Sequence, residues 1–321
     1  MKLLSALFGL ACALLAVPFA HAQSAYPNKP IRIIVAYSAG QGTDIATRYL
    51  AEQISKDIGQ PIVIDNRPGA GGNLGTDLAA QAEADGYTLT VGTNATHALN
   101  QFLYSKMPFD AAKAFEPIVL VGTFPMVVAV NTGSALTSIN DLLALSRKNS
   151  READVALPST TARLVLELLK DRSGAPLFGV PYKGSGNAMT DVLGGQVPVI
   201  VDTPTALKTQ LAAGKVRALA VTSSQPSGLA PGVKTVAEQG VAGFEVVAWN
   251  ALYAPKGTPP AVIAFWNAAM NKALARPETR QRLLELGFDP AGGTPAQLSD
   301  FAKAERQKWQ PIIKAAAISL D

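Results

Sequence analysis

The chain has 321 residues, of which 48% are hydrophobic, and it carries 28 lysines and arginines against 24 aspartates and glutamates. This length and composition predict a globular protein with one large domain or two, and no apolar run of 18 residues that could span a membrane follows the first 22 residues. The basic residues are scattered, with no run of five, which argues against a nucleic-acid-binding surface.

The first 22 residues have the three parts of a secretory signal peptide. Lys2 is a short basic start, residues 3–17 are almost wholly apolar, and Ala20-His21-Ala22 is a small-x-small cleavage site. The apolar run is shorter than the ~20 residues that a membrane-spanning helix needs. A lipoprotein leader cleaved before Cys12 and a retained anchor are the alternatives. The sequence favours a cleaved signal peptide and export to the periplasm, with Gln23 as the first mature residue.

Few residues of the mature chain could carry out catalysis or bind a metal. Cys12 is the only cysteine and leaves with the leader, so no disulfide or thiolate metal site is expected. His97 is then the only histidine, which excludes a histidine metal cluster. We therefore predict no catalytic residues, no metal and no cofactor. His97 itself is expected either to orient a ligand or to lie in the core.

Short β-branched runs alternate with helical patterns, which is typical of α/β domains with mainly parallel sheets. Strands are predicted at 31–36, 61–65, 88–92, 118–121, 126–130, 154–157, 180–182, 197–201, 217–222 and 244–253. Helices are predicted at 44–58, 74–84, 207–213, 261–275, 277–286 and 295–316. Two more are predicted to follow the loops at 159–161 and 184–186 and to end at residues 169 and 193.

Two glycine-bearing loops, at 38–44 and 69–73, each lead from a predicted strand into a predicted helix. The first N–H groups of a helix have no partners within it and carry a positive partial charge, so they form a natural anion site. Loops that follow neighbouring parallel strands meet at one edge of a sheet. The pair therefore predicts a carboxylate site, and two ordinary tight turns are the alternative. Asp44 is expected to complement the helix dipole and to hold the first loop rigid.

Other sites fit less well. The first loop lacks the third glycine of a dinucleotide-binding fingerprint, because Ile45 stands in its place. Gly184-Ser185-Gly186 lacks the glycine spacing of a hydrolase nucleophile elbow.

Several ordered motifs together resemble the tripartite tricarboxylate transporter receptor family, the Bug-type periplasmic solute-binding proteins. The motifs are DNRPGAGGNLG at 65–75, ADGYTL at 84–89, VPYKG at 180–184, LGGQV at 193–197, GKVRALAV at 214–221 and TVAE at 235–238. The resemblance covers essentially the whole mature chain.

The resemblance implies an α/β fold of the two-lobed type II periplasmic binding protein (Venus flytrap) kind. The expected domains are a signal peptide at 1–22, lobe one at 23–125 with 243–321, and lobe two at 126–242. A small carboxylate, either a dicarboxylate, an amino acid or an aromatic acid, would bind between the lobes of a monomer. The partner would be a permease with one large and one small membrane subunit, or alternatively the ectodomain of a sensor kinase. An enzyme on the same scaffold is the least favoured hypothesis.

The chain departs from the family pattern in three places. Gln41 stands where the first loop usually has glycine, so its side chain is expected to contact or crowd the ligand. The second-lobe loop at 157–163 has Arg163 at the position of a histidine. Lys234-Thr235 replaces a Pro-Thr pair.

The expected ligand-binding residues come from both lobes. Asp202, at a strand end, is expected to pair with an amino group of the ligand or to cap a turn. The full predicted set is Ser38, Gly40, Gln41, Gly42 and Thr43 from the first loop; Gly71, Gly72 and Asn73 from the second; Thr93 and Asn94 from the floor of lobe one; and Ser159, Thr160, Thr161 and Asp202 from lobe two.

Overall fold

The computed structural model describes residues 26–320, and the predicted signal peptide, Cys12 and Gln23 lie outside them. Two separate sheets organise this part of the chain. The first sheet has the strand order β11-β4-β10-β3-β1-β2. Its strands are β1 (Ile31–Val35), β2 (Ile62–Asn66), β3 (Thr88–Thr93), β4 (Phe115–Pro125), β10 (Val247–Pro255) and β11 (Asp289–Gly292).

The second sheet has the strand order β7-β6-β8-β5-β9. Its strands are β5 (Val127–Asn131), β6 (Val155–Leu157), β7 (Gly179–Pro181), β8 (Val199–Asp202) and β9 (Val216–Val221).

Both sheets are mixed, so the prediction of mainly parallel sheets is wrong. In the first sheet β1 is parallel to β2 and β3, but β10 is antiparallel to β3 and β4. In the second sheet β6 is parallel to β7 and β8, but β5 is antiparallel to β8 and β9. Besides β11, which is antiparallel to β4, the antiparallel strands are β10 and β5. The chain returns to the first sheet with β10 and enters the second with β5. Their direction depends on long-range topology, which hydropathy does not record.

Helices flank both sheets, and most lie close to their predicted positions. They are α1 (Gly42–Ile58), α2 (Asn73–Ala80), α3 (Asn100–Leu103), α4 (Ile139–Lys148), α5 (Thr160–Ser173), α6 (Ser185–Leu193), α7 (Pro204–Ala212), α8 (Pro260–Ala275), α9 (Pro277–Glu285) and α10 (Pro295–Ala315). The pattern analysis missed α3, α4 and the short strand β11, and it extended α2 beyond Ala80. Within residues 26–320, no helix combines the length and apolarity needed to cross a bilayer.

The C-terminal helices complete the core beside the first sheet. Trp249 on β10, Trp266 on α8 and Trp309 on α10 are all buried. A capping box starts α10: the Thr294 hydroxyl accepts from the N–H of Gln297, and the Gln297 side chain accepts from the N–H of Thr294. Such caps define where a helix begins and thus which face it buries. The last third of the chain therefore packs with the first third.

The chain crosses between the sheets twice, at β4–β5 and between β9 and β10. The two crossings are joined through buried Thr222. Its hydroxyl accepts from the N–H of Met126 at 2.8 Å and donates to the carbonyl of Val246 at 2.6 Å. The predicted lobe boundaries, after residues 125 and 242, fall within these crossings.

Candidate functional site

A cleft with about 420 Å³ of empty space, part of it open to solvent, lies between the two sheets, and we call it the inner chamber. Its lining comes from both lobes and combines polar side chains with the apolar Phe124, Met126 and Ala248. The lining residues are Tyr37, Gln41, Gly42, Thr43, Thr93, Asn94, Phe124, Met126, Ser159, Thr161, Asp202, Thr203, Ala248 and Asn250.

Two buried side-chain amides in the inner chamber lack partners for their N–H groups. Thr43 donates its hydroxyl hydrogen to Oδ1 of Asn250, and Thr161 donates to Oδ1 of Asn94, both at 3.3 Å. The two Nδ2 groups have no hydrogen-bond partner within the described chain. A buried donor without a partner is costly, so these groups are poised to donate to an oxygen-rich ligand.

Asp202 faces these amides from the second lobe, at the end of β8. Its Oδ1 accepts from the N–H of Thr203 at 2.7 Å, and Oδ2 makes no hydrogen bond of good geometry among residues 26–320. Burial raises the pKa of this carboxyl to about 6. The hydroxyl of buried Ser185 lies close enough to this carboxyl to act on its pKa, in the lowering direction. Asp202 thus caps the turn with Oδ1 and leaves Oδ2 available to a ligand. The free oxygen can accept a hydrogen bond from an ammonium group or hold a proton.

The start of α1 reaches the inner chamber through Gly42 and Thr43. Their N–H groups occupy the first turn, where a helix offers no internal acceptors and its dipole favours negative charge. Gly42 also lies close to the second lobe, because a Cβ at this position would lie 2.8 Å from Oγ1 of Thr203. A larger residue here would hold the lobes apart.

Asp44 holds the preceding turn in shape. Its carboxylate accepts from the N–H of Gly40 and from the Nδ2 of Asn66, each at 2.9 Å, and it pairs with Arg48. Burial acts to raise the pKa of Asp44, but these three partners outweigh it and keep the pKa below its usual value. The carboxylate is therefore charged at neutral pH and used by the protein itself.

A second cavity, the outer chamber, adjoins the inner one and contains about 1260 Å³ of empty space, part of it open to solvent. It carries both aromatic rings and positive charges. Its lining includes Tyr37, Tyr104 and Tyr182, the loops at 68–72 and 157–160, and the basic residues Arg163 and Lys183.

The second glycine loop borders this outer chamber rather than the inner one. Gly71 and Gly72 both have left-handed backbone, with φ of 62° and 95°. A Cβ on Gly71 would lie 2.5 Å from Oγ1 of Thr160 in the second lobe and 2.5 Å from the hydroxyl of Tyr104. This loop therefore needs glycine both for its backbone and for the close approach of the lobes.

Gln41 lines both chambers. Its Oε1 accepts from the N–H of Ser38 at 3.1 Å, and its Nε2 donates to the carbonyl of Pro158 in the second lobe at 3.3 Å. The side chain is 8% exposed, so it is fixed within the interface. The Ser38 hydroxyl adds another bridge by donating to the carbonyl of Lys183 at 3.1 Å. The lobes are closed on each other.

The structure divides the predicted ligand-binding residues into three groups. Lining the inner chamber are Gln41, Gly42, Thr43, Thr93, Asn94, Ser159, Thr161 and Asp202. Lining the outer chamber are Ser38, Gln41, Gly71, Gly72, Ser159 and Thr160. Gly40 and Asn73 line neither: Gly40 is exposed and bonded to Asp44, and the Asn73 side chain contacts Asn100 and Met107.

The sequence analysis did not single out Asn250 or Tyr37. Asn250 is the one strongly polar side chain in the otherwise apolar run VAWNALYAP of β10, and this interruption could have identified it. Tyr37 directly follows the apolar run of β1, and its hydroxyl hydrogen-bonds with Thr93 at 2.7 Å.

His97 lies in the core of the first lobe and lines neither chamber. Its ring stacks on Tyr253 at a centroid distance of 4.1 Å, and Nδ1 bonds with the hydroxyl of Thr96 at 2.9 Å. Burial, with the nearby charge of Arg306, lowers its pKa to about 3, so the ring is neutral. Of its two expected roles, the structural one applies. Over residues 26–320, no cluster of three potential metal ligands occurs.

The family of this chain follows from comparison with known proteins. Residues 46–318 match the model of the tripartite tricarboxylate transporter family receptor. Protein BugT from Bordetella pertussis is 36% identical over 298 residues, which cover 92% of this chain and 91% of BugT.

Solved structures agree. Rpa4515 of Rhodopseudomonas palustris, solved with adipate, superposes with a TM-score of 0.88 at 33% identity, covering 92% of this chain and 99% of that one. MatC from the same organism, solved with bound malate, superposes with a TM-score of 0.84 at 30% identity, covering 90% of this chain and 100% of MatC. The predicted two-lobed Venus flytrap fold is confirmed. The chain belongs to the tripartite tricarboxylate transporter receptor family, whose members are solute-binding receptors and not enzymes.

Proposed function

We propose that this receptor binds a small carboxylate in the inner chamber and delivers it to a permease with one large and one small membrane subunit. The single observation that carries the proposal is the pair of buried, unpartnered amide groups on Asn94 and Asn250. Together with the N–H groups at the start of α1, they form a donor set that matches carboxylate oxygens. The adipate in Rpa4515 and the malate in MatC support the same ligand class.

Asp202 further restricts the class of carboxylate that fits the inner chamber. No lysine or arginine lines the inner chamber, so a second carboxylate placed beside Asp202 would meet repulsion. An amino group there would instead satisfy the free Oδ2. Among small acids, we therefore propose that amino acids bind better than diacids of the same length.

The predicted signal peptide at 1–22 supports a periplasmic location, and a single closed pair of lobes suits a monomeric receptor. Closure over the ligand would present a surface that the open form lacks. Affinity capture from membranes with and without ligand would test delivery. Ligand-dependent capture of the permease subunits is expected, whereas capture of a sensor kinase ectodomain instead would replace transport by sensing.

The ligand site is tested by thermal unfolding against a panel of small amino acids and diacids, because a ligand raises the melting temperature by mass action. Asn250→Ala and Asn94→Ala should each weaken binding about tenfold, since each removes one donor to the carboxylate. Asn187→Ala, on the exposed face of α6, is the matched control and should respond like the natural protein. Equal responses in all four proteins would reject the inner chamber as the site.

A further inference from the structure

Gln41 hydrogen-bonds to both lobes at the boundary of the two chambers. Its Oε1 accepts a hydrogen bond from the N–H of Ser38, and its Nε2 donates one to the carbonyl of Pro158. Tyr37 and Ser159 also line both chambers, so the chambers meet at this side chain. A ligand that extends from the inner into the outer chamber has to displace it.

We propose that Gln41 is a specificity-determining gate, which limits the receptor to short ligands and closes off an outer subsite for the far end of a longer acid. This inference rests on the proposed function, since it takes the inner chamber as the site of the first carboxylate. It adds a residue that sets ligand length and a second site with its own chemistry.

The outer chamber differs chemically from the inner one. Arg163 and Lys183 bring positive charges to its wall, whereas the inner chamber has Asp202 as its one charged residue. Arg163 is half-buried and donates to the carbonyl of Ser319, which holds its guanidinium in place. The rings of Tyr104 and Tyr182 add apolar surface. These features suit an extended acid whose far end is a second carboxylate.

The position of Gln41 in the chain makes its removal structurally mild. It is the N-cap residue of α1, with φ of −75° and ψ of 160°, and its side chain makes no capping bond to the helix. Glycine is well accepted at the N-cap. Gln41→Gly therefore removes the gate while α1 keeps its start.

The test measures dissociation constants for α,ω-diacids of three to eight carbons, and for matched monoacids, by calorimetry. In the natural protein, a long acid has to break both Gln41 hydrogen bonds. In Gln41→Gly, acids of six to eight carbons should bind about tenfold more tightly, with little change for acids of three or four carbons. Diacids should gain more than monoacids, and Arg163→Ala added to Gln41→Gly should abolish that difference.

Gln225→Gly, in the exposed loop after β9, is the matched control and should keep the natural length preference. Melting temperatures without ligand establish that each variant is folded. If Gln41→Gly binds the same lengths as the natural protein, the gate is rejected while the carboxylate receptor stands. If no acid of any length binds either protein, and no amino acid raises the melting temperature of either, the proposed function itself fails.

Discussion

Asp202 shows how burial of one residue couples the receptor to pH. Burial raises the pKa of this carboxyl from 3.8 to about 6 in the folded protein. Between these two values the native state binds more protons than the unfolded state, so the free energy of unfolding falls as pH rises from about 4 to about 6. An ammonium group beside Oδ2 would favour the charged form, and an amino acid should then bind more tightly as pH rises through 6.

In the absence of ligand, the Asp202→Asn variant should not show this loss of stability as pH rises. With the pKa of Asp202 raised from 3.8 to about 6, the natural protein should lose up to roughly 3 kcal/mol more than the variant between pH 4 and pH 7. Urea unfolding at four pH values measures the difference. Asp300→Asn, at an exposed position on α10, is the control. Parallel pH profiles for the natural protein and Asp202→Asn would contradict the assignment.

At the scale of an element, the start of α1 depends on Asp44. This carboxylate joins the turn before the helix, the helix itself and the end of β2, through Gly40, Arg48 and Asn66. The turn presents Gly42 and Thr43 to the inner chamber, so its rigidity matters to both stability and binding.

Asp44→Ala should lower the free energy of unfolding by about 2 kcal/mol, because it leaves the Gly40 N–H without its acceptor and the Asn66 amide with only the carbonyl of Tyr37. It should also weaken ligand binding. Asp44→Asn, which keeps the size and one acceptor, should lose less. Urea unfolding and calorimetry give the two quantities. An Asp44→Ala protein as stable as the natural one would show that the turn does not need this residue.

At the scale of the whole molecule, the two crossings between the lobes act together through Thr222. The hydroxyl of Thr222 bonds to the main chain of Met126 in one crossing and of Val246 in the other. Hinges of two-lobed receptors concentrate backbone motion in a few such residues. We therefore expect the two crossings to bend as one unit.

Thr222→Val keeps the shape of the side chain but leaves the N–H of Met126 without its acceptor, so a destabilisation of about 1–3 kcal/mol is expected. Thr222→Ser retains the hydroxyl and should lose much less. Chemical unfolding compares the two. Small-angle scattering with and without ligand measures closure of the lobes. If Thr222→Val is destabilised but still contracts with ligand as the natural protein does, Thr222 contributes to stability and not to the hinge.

Local pattern was sufficient for much of the fold. The period of apolar residues placed α1, α8 and α10 because each buries one face along its whole length. Pattern failed at α3 and β11, which are four residues long and too short to show a period, and it also missed α4, which is ten residues long. It also failed for sheet direction, since β10 pairs with β3 across more than 150 residues of chain.

The sequence by itself determined the family and the alternation of strands and helices. Only the tertiary structure decided which donors remain for a ligand. The side chains of Gln41 and Asp44 accept hydrogen bonds from the N–H groups of Ser38 and Gly40, so these donors are not available to a ligand. Asn250, which lines the same chamber, comes from a segment more than 200 residues further along the chain. An N–H group is available to a ligand only where no acceptor of the protein lies within hydrogen-bonding distance, and that depends on contacts between distant segments.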